Sequence, residues 1–144
     1  MKKFFLILLS ISLFSCINSI YENRVSDKEE AEIITNQFFD YLKKSDYEKV
    51  SELMSPRFFE ASPKEKLIEV LKNSDSKLGL VKDYEVIEWK TSVIEGKKKS
   101  ATYVFLYNVN FANAKGKIKV SLEKNEKDKI QIIGYNVSSD ALLN

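Results

Sequence analysis

A chain of 144 residues with 44% hydrophobic and 12% aromatic residues holds one domain with an ordinary core. It contains no His and a single Cys, Cys16, which excludes an intramolecular disulfide, a Cys/His zinc site, a cysteine nucleophile inside the domain and any His-based triad. Lys and Arg number 23 against 21 Asp and Glu. That balance removes the electrostatic reason to expect a nucleic acid partner, because phosphate-backbone binding needs a cationic surplus on one face.

The chain opens on Lys2 and Lys3, runs through an apolar stretch from Phe4 to Phe14 and reaches Leu13-Phe14-Ser15-Cys16. This anatomy resembles a bacterial lipoprotein signal ending in a lipobox. The resemblance implies removal of residues 1–15, lipid on the sulfur and amine of Cys16, and attachment of the rest of the chain to a membrane of the cell envelope. Lys2 and Lys3 would leave with the signal, bringing the cationic and anionic residues to equal numbers. The apolar stretch is too short for a hydrocarbon core of roughly 30 Å, which takes about 20 helical residues. Leu13-Phe14-Ser15 also lacks the small-residue pattern of ordinary secretory cleavage. Ile17 stands where some inner-membrane lipoproteins carry Asp, so the resemblance implies the outer membrane, on its periplasmic or surface face.

Residues 16–26 are expected to form the lipidated Cys and a polar tether, INSIYENRV, that reaches at most roughly 30 Å. The domain is expected over residues 27–138, with a short tail at 139–144. Ser26 with Glu29, or Asp27 with Glu30, has capping-box spacing, and Ala31, Ile34, Phe38, Tyr41 and Leu42 recur as one helical face ending near Lys43-Lys44. Ser45 with Glu48 repeats the spacing ahead of a short second helix bearing Tyr47, Val50, Leu53 and Met54, which Pro56 ends. Phe58 and Phe59 fall in a connector and plug the core. A third helix starts with Ser62 as cap and Pro63 at its first position, buries Leu67, Ile68, Leu71 and Leu78, and stops at Gly79.

After Gly79 the apolar period changes from helical to two. From Tyr84 to Val93 the apolar set shifts from Tyr84 and Val86 to Ile87, Trp89 and Val93, which predicts a bulge near Val86. Ala101, Tyr103, Phe105, Tyr107, Val109 and Phe111 share one face of the next strand. Ile118, Val120 and Leu122 follow on a third strand, and Ile130 to Val137 forms a fourth. Connections this short join antiparallel neighbours. The expected class is α+β, with three N-terminal helices packed on a curved four-stranded antiparallel meander sheet. Lys97 to Lys99, at a hairpin tip, reads as a solubilising cluster that protects the edge, with an anionic-lipid contact as the alternative.

The element order, with the stretch FFDYLKKSDYEKVSELMSPRFF from Phe38 to Phe59, resembles a nuclear transport factor 2-like domain of the cystatin-like superfamily. It is similar in particular to small bacterial lipoproteins and secreted proteins of that superfamily. The resemblance spans Asp27 to Val137 and implies a sheet curled round the long helix to leave a cone. Such a cone serves catalysis in some members and ligand or protein contact in others, so fold does not choose the function. If the cone is open, Trp89, Tyr103, Tyr107 and Tyr135 line it and suit a small apolar ligand. If it is filled, the same side chains are core. An acid–base isomerase or dehydratase would need Tyr103 or Tyr107 as hydrogen-bond donor and a carboxylate such as Glu85 or Glu88 as base. No catalytic residue is assigned, no cofactor is expected, and Glu29, Glu30 and Glu32 lack EF-hand or HExxH spacing for a metal. Asn136-Val137-Ser138 matches a glycosylation sequon that a bacterial lipoprotein is not expected to use. The expected function is a membrane-anchored, non-catalytic binding or interaction module of the envelope, contacting the membrane through Cys16 and an envelope protein or small apolar ligand through the domain.

Overall fold

The computed structural model describes residues 18–97 and 99–143. The signal segment, Cys16 and Lys98 lie outside the described residues. The chain forms β1 (Ser19–Glu22), α1 (Val25–Lys43), α2 (Tyr47–Glu52), α3 (Pro56–Ala61), α4 (Lys64–Leu78), β2 (Val81–Glu95), β3 (Ser100–Phe111), β4 (Lys115–Lys124) and β5 (Ile130–Ser138), then a 3₁₀ turn over Asp140–Leu142. The class is α+β, as expected. The sheet is open and antiparallel, in the order β1-β2-β3-β4-β5. Two counts differ from expectation: among the described residues there are five strands rather than four, and four α-helices rather than three.

The extra strand lies inside the stretch expected to be a tether. Ser19 pairs with Glu95 and Glu22 with Ser92, so β1 adds an edge to β2. Asn23 then takes a left-handed conformation, φ 54°, which Asn tolerates better than most residues. Its N–H donates to the Thr91 carbonyl and its side-chain oxygen accepts from the Thr91 N–H, both at 3.0 Å, extending the edge contact by one residue. At the other end, Ala141 and Leu142 pack partly buried against the core, so the expected tail belongs to the domain.

Helix punctuation also departs from the sequence reading. Arg24, not Ser26 or Asp27, precedes the first turn of α1, and its guanidinium donates to Asp27 at 2.7 and 3.0 Å. Asp46 rather than Ser45 caps α2, accepting from the Lys49 N–H. Pro56 starts a helix instead of ending one. Ser55 Oγ accepts from the Phe58 N–H with Pro56 in the first turn, so Phe58 and Phe59 are helical. Ser62 closes α3, and Pro63 takes the cap position of α4 without a side-chain bond. Gly79 has the expected left-handed φ, 78°.

The strands follow their apolar patterns. A register shift between Val86 and Glu88 is the expected bulge, and it returns Trp89, Thr91 and Val93 to the face shared with Tyr84 and Val86. The inner face of β3, from Ala101 to Phe111, is buried throughout at alternate positions. It meets Phe38, Phe39 and Leu42 of α1, while Ile118, Val120 and Leu122 of β4 and Ile132 of β5 continue the core. The β5 edge is closed at Ile132 by the Ser55 N–H and the Leu53 carbonyl, which leaves no ladder for another chain to join there.

Candidate functional site

The four aromatic residues named from sequence as possible pocket lining all lie on the inner face of the sheet, but they occupy different surroundings. Tyr107 is 3% exposed and stands edge-on to Phe39, which in turn stacks on Tyr84 with ring centroids 3.8 Å apart. Its hydroxyl donates to Thr35 Oγ1 at 2.8 Å, and Thr35 donates to the Glu32 carbonyl. Burial pushes the Tyr107 hydroxyl well above the ordinary tyrosine range, with the Thr35 bond offsetting only part of the effect. Tyr135 packs on Phe38 with centroids 5.5 Å apart, and burial raises it as well. Trp89 is half-buried beneath the Lys28 ammonium, 5.8 Å from the ring centroid.

Tyr103 differs from these three. It is 1% exposed, and its hydroxyl makes no hydrogen bond of good geometry, with the Lys124 ammonium as the polar group beside it. Thr91, directly opposite on β2 and fully buried, has an equally unpartnered hydroxyl. Cross-strand partners stand with Cβ atoms about 4.5–5.5 Å apart, so the two side chains are neighbours on the inner face of the sheet. The charges of Lys124, Glu30 and Asp27 act on the Tyr103 hydroxyl. Arg24 binds Asp27 and reaches Glu95 at 3.1 Å, while Lys124 Nζ gives both of its described hydrogen bonds to Glu30 at 2.7 and 2.8 Å. Burial pushes the Tyr103 hydroxyl up, against the nearby Lys124 charge that pulls it down. Burial acts to lower Lys124, but the Glu30 hydrogen bond, together with the proximity of Tyr103 and the Glu30 charge, outweighs it and leaves Lys124 raised. Thr91 was legible in the sequence as the polar residue in register with Trp89 and Val93. Asp27, Glu30 and Lys124 had no such signal, because they meet only through the packing of α1 on the sheet.

The carboxylates considered for acid–base chemistry do not join this group. Glu85 pairs with Asn108, and Glu88 with Leu106, on the outer face of the sheet, where Glu85 accepts from the Asn108 amide at 3.3 Å. Neither can act with Tyr103 or Tyr107, which point the other way. Among the described residues no group of His, Cys, Asp and Glu is placed to hold a metal ion, and no helix is long and apolar enough to cross a membrane.

Among the hollows on the surface of the described residues, two are lined by charged side chains. One, of about 730 Å³, lies on the outer face and is lined by Asp83, Glu85, Asn108, Asn110, Lys115 and Lys117 among others. The other, of about 990 Å³, lies between the β2–β3 and β4–β5 hairpin tips and is lined by Glu95, Lys97, Lys99, Lys124, Glu126 and Asp128 among others. Neither takes Trp89, Tyr103, Tyr107 or Tyr135 as lining. Fold and surface together define an α+β domain whose inner face is packed and whose surface hollows lie outside that packing. No protein-family model matches the chain, and no curated protein matches it either.

Proposed function

We propose that this protein is a lipid-anchored module of the bacterial envelope, built on a nuclear transport factor 2-like plan, that acts by surface contact with an envelope partner and not by catalysis. The observation that carries the non-catalytic part is the packing of the inner face. Phe38, Phe39, Phe105 and Tyr103 are at most 1% exposed, and they occupy the space that a ligand or substrate in a cone would need. The anchoring part rests on the lipobox-like Leu13-Phe14-Ser15-Cys16, and the fold is compatible with it. The folded sheet starts at Ser19, so only Ile17 and Asn18 separate Cys16 from β1, a reach of roughly 10 Å. Lipid on Cys16 would therefore hold the domain against the membrane surface, and two acyl chains suffice for stable anchoring.

Replacing Cys16 by Ala tests the anchor. The variant is expected to leave the membrane fraction and lack acylation; retention in washed membranes would contradict the reading. Crosslinking in intact envelopes followed by identification of the captured protein tests the contact role. A second reading, a carrier of a small apolar ligand or an acid–base enzyme, draws on the buried hydroxyls of Tyr103 and Thr91, neither of which makes a hydrogen bond of good geometry. It requires the inner face to open, and a solvent-exchange rate at Tyr103 as slow as that of the core strands would exclude it.

A further inference from the structure

The end of the sheet at which β1 begins also carries two hairpin tips. Ser19 pairs with Glu95, and Asn18 accepts the Lys97 N–H through its side-chain oxygen at 3.0 Å, so the start of the folded chain is fastened to the β2–β3 tip. Lys124 pairs with Ala101 on one side and Ile130 on the other, which brings the β4–β5 tip to the same end. Lys97, Lys99, Lys127 and Lys129 are all exposed there and form no ion pair among the described residues. Two of the carboxylates nearby are Glu126 and Asp128. Glu95 is engaged by Arg24, and Glu30 by Lys124. Ile20, in β1, is 64% exposed beside them. The outer hollow shows no such surplus, because Asp83 and Glu85 stand against Lys115 and Lys117.

We propose that this hairpin-tip end, through Lys97, Lys99, Lys127 and Lys129, docks on anionic phospholipid headgroups and orients the domain with the opposite end of the sheet facing its partner. The inference rests on the anchoring reading for its geometry, since lipid on Cys16 would hold this end of the sheet within roughly 10 Å of the headgroups. Each Lys near an anionic surface adds roughly fivefold to its occupancy. The effect is screened over about 10 Å at 0.1 M salt. Lys115, at the far end of the ten-residue β4, is roughly 30 Å away and outside that range.

The full chain, purified with its own lipid, is reconstituted on vesicles of phosphatidylcholine alone or with about 30% phosphatidylglycerol. Flotation reports attachment, and lysine-by-lysine acylation by a water-soluble reagent reports orientation. Lys97, Lys99, Lys127 and Lys129 are expected to react at least fivefold more slowly on the anionic vesicles, with recovery at about 0.5 M salt, while Lys115 and Lys117 are unchanged. Replacing the four tip lysines by Gln should leave flotation on phosphatidylcholine intact and bring the labelling of the neighbouring Lys124 on anionic vesicles to its zwitterionic value. Flotation on both vesicles with equal labelling at both ends would overturn the docking inference and leave the anchor standing. Flotation on anionic vesicles only, with the tips protected, would support docking and refute the anchor. Flotation on neither would refute both.

Discussion

Tyr103 and Tyr107 lie four residues apart on the same face of β3, and removal of the same atom from each is expected to change stability in opposite directions. Tyr107→Phe deletes a buried hydrogen bond of 2.8 Å to Thr35 and leaves Thr35 with its bond to the Glu32 carbonyl only. The loss is about 1 kcal/mol, the typical net worth of such a bond. Tyr103→Phe deletes a buried hydroxyl that makes no hydrogen bond of good geometry and has only the Lys124 ammonium beside it. An unsatisfied buried polar group carries a desolvation penalty of about 1–3 kcal/mol, so its removal should be neutral or stabilising by about 1 kcal/mol. The two variants should then differ by about 2 kcal/mol. In urea, with a slope of about 1–3 kcal/mol per molar, that separates their midpoints by roughly 1 M at unchanged slope. Equal destabilisation of both variants would refute the reasoning, because it would mean that the Tyr103 hydroxyl has a partner of its own, with the Lys124 ammonium as the nearest group able to supply one.

Alkaline pH should unfold the domain sooner than its net charge alone would suggest. Burial raises Tyr103, Tyr107 and Tyr135 in the folded state, whereas unfolded tyrosines ionise near pH 10. The unfolded state therefore releases protons first, so the contribution is intact below about pH 10 and is lost as pH rises towards the folded values. Each tyrosine removes up to about 1.4 kcal/mol per pH unit in that window, and the three together about 4. A melting temperature that stays flat between about pH 10 and 11 would contradict this burial. Gly79→Ala places a Cβ on a residue with φ 78° and 2.7 Å from the Ala112 Cβ. It should cost about 1–3 kcal/mol and lower the melting temperature by several degrees; a melting temperature unchanged within a degree would show that the α4–β2 turn relaxes freely.

The parts of the fold that could be read from the sequence are those in which burial dictates residue type at a fixed period. The inner face of β3 is apolar or aromatic at every second position because each of those side chains lies in the core, and the slip at Val86 follows from the same pattern. β1 was not legible because a four-residue edge strand, half-exposed along its length, is held by pairing with β2 and not by an apolar face of its own. α3 was missed although Ser55-Pro56 is the same cap-and-proline pair as Ser62-Pro63. In the structure the first pair starts a helix, while the second straddles the end of α3 and the cap of α4. Proline both stops a preceding helix and starts a following one, so spacing alone does not decide between the two. Of the site, the shared face of Trp89, Tyr103, Tyr107 and Tyr135 was legible. That Phe38 and Phe39 fill the space before it depends on the angle at which α1 crosses the sheet, which no local pattern encodes.

The central claim is that the chain is held to a membrane through Cys16, and the most direct measurement is the mass of its N-terminal peptide isolated from bacterial envelopes. The account predicts a peptide that begins at Cys16 and carries acyl chains on its sulfur and amine. A peptide that retains residues 1–15, or one that begins at Cys16 without lipid, would contradict it.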